Sequence, residues 1–331
     1  MTESAHLIGA LDARVKRRDD RRDFFKNALG AVAITAAGAT ALSMSSKADA
    51  QTAAPTDADV LNFALNLEYL EAQFYSYAAN GTGLDPALLT GTGTPGMVRG
   101  GQPAKLTDPV VRQYVREIAA DEVAHVKFLR TALGSTAVSM PTVDVSVGPD
   151  SAFSAAARAA GLVGPGATFD PYSSDENFLL GAFIFEDVGV TAYKGASPLL
   201  TNNTYLDAAA GILAAEAFHA GLIRSVLYSK GISTMSLRSA SEAISNARDS
   251  LDGPADLDQG VAPQPRAFTN SGGTTTNVQL SNIAPTDANG IAFSRTTGQV
   301  LNIVYLTGTA AAAGGFFPNG VNGTIRTSAA S

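Results

Sequence analysis

Beyond residue 50 the chain holds two histidines, and each follows a glutamate by three positions: Glu122-Val-Ala-His125 and Glu216-Ala-Phe-His219. Residues three apart on a helix share a face, so each pair aims a carboxylate and an imidazole at one point. With 8 glutamates in these 281 residues, both pairings arising by chance is roughly a one-in-a-thousand event. Two such pairs, joined by one glutamate from each of two further helices, make a donor set that holds two metal ions inside a four-helix bundle.

The composition narrows the chemistry. There is no cysteine, which removes disulfides, iron–sulfur clusters, thiolate zinc sites and cysteine nucleophiles together. A metal here must be held by oxygen and imidazole nitrogen. A serine hydrolase is disfavoured because both histidines are committed to the metal. Beyond residue 50 there are 15 basic and 24 acidic side chains, a net charge of −9. So acidic a body repels nucleic acid and anionic lipid, and neither is an expected partner.

The first fifty residues have the pattern of an export signal. Asp20-Arg21-Arg22-Asp23-Phe24-Phe25-Lys26 resembles the twin-arginine consensus, an Ala/Gly/Thr-rich stretch runs from Asn27 to about Met44, and Ala48-Asp49-Ala50 offers a small-x-small cleavage site. The expectation is a signal peptide over 1–50, recognised by the twin-arginine export machinery, and a mature chain in the periplasm or outside the cell. An uncleaved anchor is the alternative. No later segment is expected to span a bilayer.

Four helices must position the donors. The first runs from Asp57 to about Ala79 and stops at Asn80-Gly81, with Glu68 in its apolar stripe. The second opens at Thr107-Asp108-Pro109 and ends near Leu133; Val111, Val115, Ile118, Glu122, His125 and Leu129 line one face. A long crossover with a short helix near 153–160 leads to the third, about Asp175 to Ala196, carrying Glu186. The fourth, about Thr204 to Lys230, carries Glu216 and His219. Gly91-Thr-Gly93-Thr-Pro-Gly96 matches a dinucleotide fingerprint only formally, since no strand precedes it and no helix opens from it.

A fifth helix is expected over about 236–250, followed by a Gly/Pro/Asn-rich tail. In the tail, Gly290–Ser294 and Gln299–Leu306 read as short strands. The domain reading is thus a signal over 1–50, a bundle over 51–235, and a C-terminal helix and tail over 236–331.

The halves of the bundle repeat. Glu68 and Tyr75 in the first helix match Glu186 and Tyr193 in the third, each Glu-x6-Tyr on the helix preceding a Glu-x-x-His helix. In this alignment Glu71 falls opposite Gly189, which makes Glu68 the ligand and places Glu71 behind the ligands or at the bundle edge. The expected metal set is Glu68, Glu122, His125, Glu186, Glu216 and His219. Tyr75 and Tyr193 are candidates for a catalytic part, hydrogen-bonding the ligands or supplying an electron, with helix packing as the plain alternative. Asp121 and Asp187, beside ligands, are candidates to orient the imidazoles.

These residues resemble the di-iron ligand set of the ferritin-like superfamily, above all the symmetrical site of bacterioferritins, a likeness that Asp121-Glu122-Val-Ala-His125 strengthens. Leu61-Asn-Phe-Ala-Leu-Asn-Leu-Glu68-Tyr-Leu-Glu-Ala-Gln-Phe-Tyr75 is similar to exported ferritin-like proteins related to plant desiccation-related proteins, and the likeness spans roughly residues 57–230. Phe293-Ser-Arg-Thr and Gln299–Tyr305 in the tail also look typical of that group. The resemblance implies an all-α ferritin-like four-helix bundle with its long crossover between the second and third helices, plus the fifth helix and an irregular or β tail.

Two divalent metal ions are then expected, iron first and manganese second; zinc would fit the donors without redox chemistry. Two functions follow from different classes. One is an oxidoreductase or peroxide scavenger of the cell envelope acting on O2 or peroxide. The other is a stress or desiccation protein whose metal only fixes the fold. A homodimer is compatible with either. An iron-storing cage is disfavoured, because crossover, fifth helix and tail would have to fit within its shell.

Overall fold

The computed structural model describes residues 54–330; the expected export signal and its cleavage site lie outside the described residues. The first bundle helix, α1 (Asp57–Asn80), begins at a capping box between Thr56 and Asp59 and ends at Gly81, whose φ of 74° lies in the left-handed region that glycine adopts without strain. Helix α2 (Pro109–Leu133) starts with Asp108 as N-cap and proline in the first turn. Helices α4 (Asp175–Ala196) and α5 (Asn203–Ser233) follow the crossover, capped by Ser174 and Asn202. Within the crossover, α3 (Ala152–Ala159) carries Phe153 into the core.

α1 packs along α2 and α4 along α5, and the two pairs meet through α1–α4 and α2–α5 contacts. The fold is therefore the all-α bundle with the long crossover between its second and third helices. α1 and α4 are the inner helices, buried on nearly all sides; α2 and α5 bury one face each.

The pairs are also tied at their ends, and in the same way. Asp57, the first residue of α1, accepts hydrogen bonds from Thr201 N (2.7 Å) and Asn202 N (3.0 Å) ahead of α5. Asp175, the first residue of α4, accepts from Thr107 N and Asp108 N (both 3.1 Å) ahead of α2. Each aspartate precedes its helix's glutamate, Glu68 or Glu186, by eleven positions. Thus the internal repeat extends to the residues that fix the two halves against each other.

Composition alone would let α5 cross a membrane, contrary to the expectation that no later segment is long and apolar enough. Here its inward face carries Glu216, His219 and Arg224 into the protein core. In the crossover, the glycines of the false fingerprint serve close backbone approach. A Cβ on Gly91 would lie 2.3 Å from Ala137 O, and one on Gly96 would lie 1.9 Å from Thr142 N. This contact continues as a two-stranded parallel pair, β1 (Val98–Gly100) with β2 (Val143–Val145).

The fifth helix, α6 (Met235–Asp252), is followed by an antiparallel hairpin, β3 (Gln264–Thr269) and β4 (Thr275–Leu280), which sequence reasoning did not place. The two expected tail strands are not formed. Residues 291–296 are irregular, and α7 (Thr297–Tyr305) is a helix over the second segment. Its start is a capping box, Thr296 with Gln299, and it buries Val300, Leu301, Ile303 and Val304. Beyond it Phe316 packs edge-on against Phe185 and Phe153, with ring centroids 4.9 and 5.1 Å away. Asn322 N donates to Asn66 Oδ1 of α1 at 2.9 Å. The tail thus completes the core.

Candidate metal centre

All six expected donors converge in the middle of the bundle. Glu68, Glu122, His125 and Glu216 form one group, and Glu122, Glu186 and His219 a second, both buried. His125 Nδ1 lies 3.2 Å from Glu68 Oε2, 3.5 Å from Glu122 Oε2 and 3.7 Å from Glu216 Oε1. His219 Nδ1 lies 3.0 Å from Glu122 Oε1 and 3.6 Å from Glu186 Oε2. Glu122 therefore offers one oxygen to each group, as a bridging carboxylate would.

The two shortest separations, 3.0 and 3.2 Å, match the edges of a coordination shell, and the others are a few tenths of an ångström longer. Donors about 2.1 Å from an ion stand roughly 3.0–3.4 Å apart in octahedral or tetrahedral geometry. The donors also leave an unmet demand. Both oxygens of Glu216 and Glu186 Oε2 are buried without a hydrogen bond. A buried carboxylate left so costs several kcal/mol; two divalent cations against four carboxylates and two neutral imidazoles would balance it. Residues and geometry fit a pair of metal ions.

Without such charge, the cluster holds protons. Burial and the charge of Glu122 push the Glu68 carboxyl up to about 7, and burial raises Glu186 to about 8. Burial and neighbouring carboxylates also hold Glu71 and Glu216 well above the usual range. Burial opposes ionisation of Glu122 too, yet the His125 and His219 rings beside it bring it down to about 2. Burial would lower both imidazoles, but the surrounding carboxylates raise His125 to about 11 and His219 to about 9.

The tyrosines cross between halves. Tyr75 of α1 donates its hydroxyl to Glu186 Oε1 of α4, and Tyr193 of α4 donates to Glu68 Oε1 of α1. Burial, reinforced by the carboxylate each faces, raises both phenols well above their usual pKa, so they remain donors. Asp121 meets His219 Nε2 at 3.2 Å, which leaves Nδ1 for the centre. Asp187 orients no imidazole. It accepts from Arg224 Nη1 at 2.7 Å and pairs with Arg248 at 3.3 Å.

Those arginines belong to a buried network that sequence reasoning missed. Arg248 Nε lies 2.9 Å from Asp258, and Arg295 reaches Asp252 at 2.6 Å and Asp258 at 2.5 Å. It joins α4, α5, α6 and the tail directly behind Glu186. No spacing rule could have paired residues up to 61 positions apart.

A model of the ferritin-like domain matches residues 56–229, which span all four bundle helices and every donor. The chain belongs to the ferritin-like domain family. Among curated relatives, ferritin-like catalase Nec2 of Nesocodon mauritianus is 31% identical over 277 residues, covering 81% of this chain and 84% of the relative. Desiccation-related protein PCC13-62 of Craterostigma plantagineum is 31% identical over 254 residues, covering 74% and 76%. Both alignments are longer than the ferritin-like domain itself, so the likeness extends beyond the bundle. No solved structure gives a significant match.

The ferritin-like bundle accounts for Gly189 as well. A Cβ at this position would lie 2.1 Å from Glu216 Oε2 and 3.6 Å from Glu71 Oε1. The glycine makes room for one glutamate on α5 and another on α1. Glu71 stands outside both donor groups, as its place opposite Gly189 in the repeat predicts, but it is buried rather than at the bundle edge.

Proposed function

We propose that this chain is an exported ferritin-like protein whose paired metal site, of iron or else manganese, disproportionates peroxide or reacts with O2. The observation that carries this reading is the buried pair of donor groups sharing Glu122, with carboxylate oxygens that no described residue hydrogen-bonds. The likeness to a protein named a ferritin-like catalase supports peroxide as the substrate. The twin-arginine-like residues 20–26 support export to the periplasm or beyond.

Iron or manganese held by these six side chains would supply paired one-electron redox steps. The protein's own part is positioning and electrostatics. The Tyr75 and Tyr193 hydroxyls lock one oxygen each of Glu186 and Glu68 and leave the other turned to the centre. Asp121 fixes the His219 tautomer. The packed side chains of α1 and α4 exclude bulk water, which strengthens every charge interaction in the site. Tyr75 and Tyr193, hydrogen-bonded to Glu186 and Glu68, are also placed to give up an electron.

The test is metal analysis of the protein purified from its native envelope, followed by oxygen release from hydrogen peroxide. Two moles of peroxide give two of water and one of O2. Iron- or manganese-loaded protein should release oxygen and zinc-loaded protein should not. The likeness to a desiccation-related protein favours a second reading, in which metal only stabilises the fold. Envelope protection that persists with zinc in the site would establish it in place of the first.

A further inference from the structure

One wall of the metal centre is hollow. Where the tail packs over α1 and α4 there is a cavity of about 20 Å3, lined by Leu67, Glu71, Val188, Gly189, Val304 and Phe316 among others. About 10–15 Å3 suffices for one water-sized molecule, so this space takes a ligand of one or two heavy atoms. At Gly189 it reaches the metal ligands: this residue has no side chain, and Glu216 Oε2 lies 2.1 Å from where a Cβ would stand. Glu71 is the one polar side chain in the lining. It is 6% exposed and stands outside both donor groups.

We propose that this cavity is the small-molecule port of the metal centre, taking a neutral molecule with two oxygen atoms, hydrogen peroxide or O2, with Glu71 as its hydrogen-bonding group and Val304 and Phe316 as its roof. The choice of ligand rests on the peroxide reading above. The apolar lining admits a small neutral molecule and penalises an anion, which would lose its hydration there. The space is too small for an alkyl hydroperoxide. The roof comes from the C-terminal tail, which gives that segment a part in selecting the substrate.

The test uses the full chain loaded anaerobically with ferrous iron, with nitric oxide as a diatomic probe. Metal content, the rate of nitrosyl formation, and turnover of hydrogen peroxide and ethyl hydroperoxide are measured for wild type, Val304→Phe and Val304→Ala. Val304→Phe should keep two metals per chain while nitrosyl formation and peroxide kcat/KM fall about tenfold or more. Val304→Ala should raise the ratio of ethyl hydroperoxide to hydrogen peroxide turnover. A fully loaded Val304→Phe protein that binds nitric oxide at the wild-type rate overturns the port. If Val304→Phe fails to load metal, Val304→Ala decides, and an unchanged nitrosyl rate and peroxide ratio overturn it. If wild type consumes no peroxide while Val304→Phe still slows nitric oxide, the port stands and the catalytic reading falls.

Discussion

Stripped of metal, this protein should lose stability as pH rises, the reverse of the loaded form. In the metal-free fold Glu68 and Glu186 titrate near 7 and 8 against an ordinary value of 4.5. Above 4.5 the folded state therefore holds protons that the unfolded chain has released. Their stabilising contribution is complete below 4.5 and is lost as pH climbs through 7 and 8. At about 1.36 kcal/mol per pKa unit, the loss is on the order of 3 kcal/mol for Glu68 and 5 kcal/mol for Glu186. Both are fully buried, so solvent screening takes little from these figures.

Glu71 and Glu216 act with the same sign. The raised histidines extend the loss, since His125 and His219 carry protons in the fold up to about 11 and 9 that free imidazoles release near 6.5. Glu122, lowered to about 2, acts oppositely but only below 4.5. Against a total stability of about 5–15 kcal/mol, a loss of this sign and order leaves the metal-free chain markedly less stable in mild base. The assay is urea unfolding followed by helical circular dichroism, as the chain has no tryptophan. Chelated and metal-loaded samples are compared from pH 5 to pH 8 at constant salt. The chelated midpoint should fall steadily while the loaded midpoint holds or rises, because metal binds deprotonated ligands. A chelated midpoint that is flat or rising over that range refutes the electrostatic account.

Glu68→Ala should bring metal content well below two per chain, whereas Glu71→Ala, outside both donor groups, should keep both metals; metal counting on the two purified variants checks this. Arg295→Met leaves Asp252 and Asp258 buried and short of their guanidinium, and should cost about 3–5 kcal/mol in chemical denaturation with metal content unchanged.

The convergence of the six side chains was legible in the sequence because helix geometry converts spacing into direction. Once Glu122 and His125 share a face, only the helix partners remain to be found, and the repeat names them. Tyr75 and Tyr193 were legible as a pair, but not their crossing to the opposite half's glutamate, which depends on how α1 and α4 pack. The tail was misread for a physical reason. Val300-Leu-Asn-Ile-Val-Tyr305 is short, apolar and rich in β-branched residues, and periodicity cannot separate a strand from a buried helix over such a length. The deciding signal was local: Thr296 and Gln299 stand at capping-box spacing immediately before it. For the β3–β4 hairpin, Asn270-Ser-Gly-Gly ahead of a Thr-rich run was the unused turn signal.

The places where the repeat breaks show how a symmetric scaffold makes its two donor groups unlike. Asp57 and Asp175, Glu68 and Glu186, Tyr75 and Tyr193, and the two Glu-x-x-His pairs all correspond. Asp121 corresponds to Ala215, so His219 has a carboxylate behind its ring where His125 has none, and the His125 side chain is the more exposed of the two, 11% against 3%. Glu71 corresponds to Gly189, so α1 brings a fifth carboxylate to the place where α4 carries no side chain. The first break stiffens the His219 position, since a carboxylate behind a ligating imidazole raises its basicity and fixes its orientation. The second opens space beside Glu216, and the tail roofs that space with Val304 and Phe316. The repeat thus accounts for the two Glu-x-x-His donor groups, and its departures make those groups unlike in support and in the space beside them.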